Sequence, residues 1–275
     1  MKKKFIELTF TDHFMFEKVL QRNKKLCKRL IEICIGKKIK EIRYIDVEKR
    51  IEPSYDKKWI RLDVYAEDED GNIYNLELQI SDKDKNIPKR IKNSHTMIGY
   101  NRLEPREDFN KLKDVYVIFI GLVDIYKCDW AAIDFGLGKN RYSSEIIDAN
   151  DGAHTIVLNA DCTCLPNDDL GRFLRFLKTG IATDDFTKDL LHEVELVKQD
   201  KELEAEYKMF QDVIKDVLAE EEQQLIEKGE ANMLVDNVQN SMKNWHCSLE
   251  EACKNLGHTV EEYNKALELL KAEKQ

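Results

Sequence analysis

RLDVYAEDEDGNIYNLELQI, residues 61–80, decides how the chain is read. Two runs with strand-like alternation flank the acidic turn Glu69-Asp70-Gly71. A three-residue loop with Gly71 in the left-handed position pairs Asp68 with Asn72. The same register sets Asp63 opposite Glu77 and Arg61 opposite Gln79. Leu62, Val64 and Ala66 then share one face with Tyr74, Leu76, Leu78 and Ile80, because side chains alternate along a strand. A two-residue loop at Asp70-Gly71 would set Asp63 opposite Leu78 and mix charge into that apolar face. The apolar pattern therefore selects the odd-length loop.

The other face carries Asp63, Glu77 and Gln79. Carboxylates directly opposite in a sheet lie about 5 Å apart at Cβ and repel. A divalent cation between them removes the penalty. Hard oxygen donors, including the backbone carbonyl of Leu78 between Glu77 and Gln79, suit Mg2+ (or Mn2+). Such an ion polarises a phosphodiester and acidifies a bound water. The alternative is an ordinary surface hairpin whose outer face is polar.

Outward from the hairpin, residues 11–35 have apolar positions at helical spacing, with Thr11 or Asp12 placed as an N-cap and Gly36 as a C-cap. Residues 39–47 alternate as a strand, and a loop follows around Pro53. A helix is expected from Lys89 to Tyr100. DVYVIFI, residues 114–120, reads as a buried central strand. Two further short strands are expected within 142–160. LGRFLRFLKTG is an amphipathic helix ending at Gly180, and residues 185–228 read as one or two long helices reaching Gly229. Ser248-Leu-Glu-Glu and Thr259-Val-Glu-Glu both fit a capping box, with Gly257 between them as a C-cap. The expected organisation is an α/β core over 1–182 and a helical extension over 183–275.

The 275 residues are 42% hydrophobic and 35% charged, enough apolar content for a core with exposed helices around it. The net charge is −9, but its distribution is uneven. Residues 1–110 hold 25 Lys+Arg against 20 Asp+Glu; the rest hold 19 against 33. A basic face for phosphate therefore belongs to the first part. Lys83, Lys85, Lys89, Arg90 and Lys92 follow the hairpin and either grip a DNA backbone or line a solvated helix face. The opening MKKK leads into a stretch too short and polar for a signal peptide, and no run approaches a membrane span. A soluble cytoplasmic protein with reduced thiols is expected. Cys162-x-Cys164 and His246-Cys247 lack the paired spacing of a zinc site. No glycine-rich nucleotide loop or nucleophile elbow is present. The two tail helices are acidic on balance and read as a docking or oligomerisation element, which makes a homodimer through them an expectation.

An Asp, a hairpin and then Glu-x-Gln resembles the core of PD-(D/E)XK nucleases. The ordered set TDHFMFEKVL, RLDVYAEDEDGNIYNLELQ and VYVIFIG, with the closing helical segment, is similar to their transposase-like group, the recombination-promoting nuclease family. The resemblance implies a restriction-endonuclease-like α/β fold, a mixed central sheet flanked by helices. It implies Mg2+-dependent cleavage of DNA in recombination or mobile-element biology. It places the metal-binding acids at Asp63 and Glu77. Asp12 matches an acidic position at the first helix, where it is an N-cap, a catalytic group or both. Gln79 departs from the motif: lysine would supply a cation there, whereas an amide orients water without charge. The competing expectation is a weak or inactive nuclease fold that binds DNA or a protein partner without cutting.

Overall fold

The structure is a computed structural model that describes residues 3–51, 60–81, 86–100, 102, 106, 108–139, 146–148 and 150–271. The loop around Pro53, Lys83 and Lys85 lie outside the described residues. Chain contacts divide the protein into two compact units, Met1–Glu204 and Ala205–Gln275.

The first unit is built on a six-stranded mixed sheet. In chain order its strands are β1 (Ile42–Ile51), β2 (Ile60–Asp68), β3 (Ile73–Gln79), β4 (Val115–Gly121), β5 (Ala132–Phe135) and β8 (Ala153–Asn159). Their spatial order is β1-β2-β3-β4-β8-β5. The β1, β2 and β3 strands run antiparallel, β3, β4 and β8 run parallel, and β5 closes the edge antiparallel to β8. A separate small hairpin joins β6 (Leu137–Lys139) and β7 (Ile146–Asp148). The central strand VYVIFIG is buried along nearly its whole length, as a strand covered on both faces must be.

Helices α1 (His13–Arg22) and α2 (Lys24–Ile35) pack on β1, β2 and β8. The break between them falls at Asn23, whose side chain accepts the N–H of Leu26 as the N-cap of α2. Gly36 ends α2 with φ +69°. Helix α3 (Ile87–Tyr100) packs on β2 and β4. It lays Ile87, Ile91, Met97 and Ile98 on Tyr65, Ile73, Val117, Phe119 and Val157. It begins two residues earlier than the expected Lys89, because Asn86 accepts the N–H groups of Lys89 and Arg90 and the first turn tolerates Pro88. Helix α4 (Asp169–Thr179) carries the LGRFLRFLKT stretch, with Asp168 as N-cap and Gly180 as left-handed C-cap. Its Phe173 and Phe176 meet Phe10. Helix α5 (Asp185–Lys198) packs on α1, α2 and α4. It therefore falls in the first unit, beyond the expected division at residue 182.

Helix α6 (Lys201–Trp245) does not stop at Gly229. A glycine inside a helix costs only about 1 kcal/mol, and Ala231, Val235 and Val238 beyond it are buried. In the second unit they form a small core with Ala252 and Cys253 of α7 (Leu249–Asn255) and Tyr263 and Ala266 of α8 (Val260–Lys271). Both expected capping boxes are present: Ser248 with Glu251, and Thr259 with Glu262. Gly257 turns the chain with φ +77°.

Candidate active site

The hairpin has the register that its apolar pattern selects. Asp68 donates its N–H to the Asn72 carbonyl at 3.1 Å, and Gly71 sits at φ +85°. Glu67 pairs with Ile73, Ala66 with Tyr74, Tyr65 with Asn75 and Val64 with Leu76. There the ladder stops, one pair short of Asp63 and Glu77. Instead, Asp63 Oδ2 accepts the backbone N–H of Leu78 at 3.0 Å. A side-chain carboxylate thus takes the place of a strand carbonyl, and β2 and β3 part at this mouth. Arg61, expected opposite Gln79, turns to Glu48 on β1 at 3.1 Å.

The mouth is no outer surface. Asp63, Asn75, Glu77 and Gln79 are all buried, with Glu77 only 2% exposed. That burial overturns the surface-hairpin alternative. Burying ionised carboxylates costs several kcal/mol each unless they are paired. Glu77 receives Nδ2 of Asn75 on Oε1 at 3.1 Å and Nη2 of Arg90 on Oε2 at 3.2 Å. Burial, and then the charge of Asp63, still push its carboxyl well above the usual range. The same guanidinium reaches Gln79 Oε1 at 3.4 Å, while the Gln79 amide NH2 donates to the carbonyl of Ser81.

Helix α1 adds two residues that the sequence reading missed. His13 Nδ1 lies 3.5 Å from Asp63 Oδ2. Glu17 is buried, and among the described residues its Oε1 has no hydrogen-bond partner. Burial pushes its carboxyl up to about 8, with Asp63 and Glu48 adding to the rise. A signal was present: His13, Phe16, Glu17 and Leu20 fall at i, i+3, i+4 and i+7, so Glu17 stands in an apolar stripe. Asp12, by contrast, is not brought to Asp63 or Glu77. It occupies the N-cap position of α1 without capping a helix N–H. Its carboxylate accepts from Thr9 N–H and Oγ1 and pairs with Lys3.

The basic residues of α3 also separate. Lys89, Arg90 and Lys92 are all exposed, and Arg90 also reaches Glu77 and Gln79. The expected row of cations is therefore split between the site and the surface beside it.

The donor set fits a small hard cation. Asp63 and Glu77 supply carboxylate oxygens on either side of the mouth, and Glu17 Oε1 is an orphaned buried oxygen on its rim. Among the described residues no group of three or more His, Cys, Asp or Glu is placed to hold a metal ion. Mg2+ needs none, since it is commonly held by one or two carboxylates with water and phosphate completing its shell.

No curated protein and no solved structure matches the chain significantly. A sequence model of the PD-(D/E)XK nuclease family transposase matches residues 10–135. That span holds Glu17, Asp63, Glu77, Gln79 and Arg90 and five of the six strands of the mixed sheet, β8 lying beyond it. Over this segment, a little under half of the chain, the protein is similar to the PD-(D/E)XK nuclease family transposases.

Proposed function

We propose that the protein is a metal-dependent DNA endonuclease. The observation that carries this reading is the mouth of the β2–β3 hairpin, where Asp63 and Glu77 are buried together at the strands' point of separation. Two carboxylates buried together repel each other and carry a desolvation cost that a bound cation offsets. Asp63, Glu77 and the Leu78 carbonyl would hold Mg2+ or Mn2+. The ion supplies Lewis-acid polarisation of the scissile phosphate and a lower pKa for a bound water. Gln79 orients the attacking water through Oε1. The water oxygen bonds to phosphorus as the bond to the leaving sugar oxygen breaks, and that oxygen takes up a proton. Lys89 and Lys92, exposed on α3, grip neighbouring phosphates. The similarity of residues 10–135 to transposases of this family supports a role in recombination or mobile-element biology.

A second reading is a nuclease fold that binds DNA or a protein without cutting. It is favoured by Gln79, whose amide NH2 is already engaged by Ser81. A plasmid-nicking assay separates the two. It compares Mg2+, Mn2+, Ca2+ and EDTA, with Asp63→Ala and Glu77→Ala alongside. The expected result is nicking in Mg2+ or Mn2+ that falls by at least about a thousandfold in both variants. Equal cutting by all three proteins marks a contaminant. No cutting with any metal supports the binding module.

A further inference from the structure

The motif position that lysine occupies in PD-(D/E)XK nucleases carries Gln79 here, so the third strand brings no positive charge to the phosphate. Helix α3 does. The guanidinium of Arg90 lies 3.2 Å from Glu77 Oε2 and 3.4 Å from Gln79 Oε1. It lies within hydrogen-bond reach of the end of the side chain at position 79. We propose that Arg90 is the catalytic cation of this site, delivered from a helix instead of the strand. This inference rests on the nuclease reading and sharpens it.

Three features support the role over a simple ion pair. The Arg90 side chain is 44% exposed, while that of its partner Glu77 is 3% exposed. The charge therefore stands between the buried acids and solvent, on the side from which a phosphate arrives. Its helix is anchored on both sides of it, by Ile87 and Ile91 packed on the sheet. The guanidinium also rests 5.6 Å from the centroid of the Phe119 ring, a cation–π contact that limits its wandering. A held, planar cation with several donors matches two phosphate oxygens better than a mobile lysine does. Charge placed in advance where negative charge develops lowers the barrier more than it strengthens ground-state binding. Lys89 and Lys92 are exposed and lack such anchoring, which leaves them the ground-state grip.

The test measures steady-state plasmid cleavage in Mn2+, DNA binding in Ca2+, and Mn2+ binding by calorimetry. It uses the wild type, Arg90→Ala, Arg90→Lys, Lys89→Ala and the double variant Gln79→Lys/Arg90→Ala. Arg90→Ala is expected to lower kcat about a hundredfold with KM and DNA affinity nearly unchanged. Arg90→Lys should keep part of the rate, and Gln79→Lys should restore about tenfold or more in the Arg90→Ala background. Mn2+ should bind more tightly to Arg90→Ala, because a competing positive charge has left the acids. Lys89→Ala should raise KM alone. If Arg90→Ala raises KM at constant kcat, Arg90 is a backbone grip and the inference is overturned. Failure of the double variant to recover, or unchanged Mn2+ affinity, overturns it as well. A wild type that cuts nothing in any metal removes the nuclease reading itself. A cutting wild type with an unaffected Arg90→Ala removes only the assignment of Arg90.

Discussion

The two ends of one hairpin treat buried acids in opposite ways. At the tip, Asp68 is 1% exposed and fully engaged. Its Oδ1 accepts the Asn72 N–H at 2.9 Å, and its Oδ2 accepts Asn72 Nδ2 at 3.1 Å and the Tyr74 hydroxyl at 2.9 Å. Glu67 beside it is clasped by Arg43 and Arg102. At the mouth, the charge of Asp63 acts on both Glu77 and Glu17, and among the described residues Glu17 Oε1 has no hydrogen-bond partner. The same residue types, on the same pair of strands, serve folding at one end and stand ready for a ligand at the other. What separates them is that both oxygens of Asp68 and of Glu67 are held by donors at the tip, whereas at the mouth Glu17 Oε1 has none among the described residues.

Substitutions at the two ends should therefore move stability in opposite directions. The largest change is expected for Asp68→Ala, which leaves the Asn72 N–H and the Tyr74 hydroxyl buried without an acceptor. A loss of about 2–4 kcal/mol in urea unfolding is expected. A loss within experimental error would dissolve the contrast. A smaller gain is expected for Glu17→Gln. The raised carboxyl value means that burial penalises the ionised form, and a neutral amide escapes that penalty. Unfolding at pH 8 should show the variant more stable by about 1–3 kcal/mol. Should it be less stable, Glu17 has a partner in solution that relieves its charge.

Much of this arrangement was legible because it is local. The odd-length turn at Gly71, the buried strand VYVIFIG and the caps at Gly36, Gly180, Ser248 and Thr259 all follow from side-chain chemistry within a few residues. The register as far as Val64 and Leu76 followed too, but the ladder ends there, one pair before Asp63 and Glu77. What was not legible depends on approach in three dimensions. Asp12 looked like the acid of α1, yet Thr9 and Lys3 draw it away, and Glu17 one turn later faces Asp63. Arg90 reads as one of five surface cations, and only the docking of α3 beside Phe119 brings its exposed guanidinium within reach of Glu77. The β5 strand, AIDF, is too short for alternation to announce it, and only pairing with β8 makes it a strand. Gly229 looked like a helix end because its small penalty was weighed without the buried contacts that follow it.

The most direct test of the account is thermal unfolding in EDTA and in millimolar Mn2+, for the wild type, Asp63→Asn and Glu77→Gln. Ligand present at a hundred times its dissociation constant stabilises by about 2.7 kcal/mol. The wild type should then melt several degrees higher with Mn2+, and both variants should lose that rise while melting in EDTA no lower than the wild type by more than about 1 kcal/mol. A wild type indifferent to Mn2+, or variants that keep the full rise, would contradict the claim that the hairpin mouth is held open for a divalent cation.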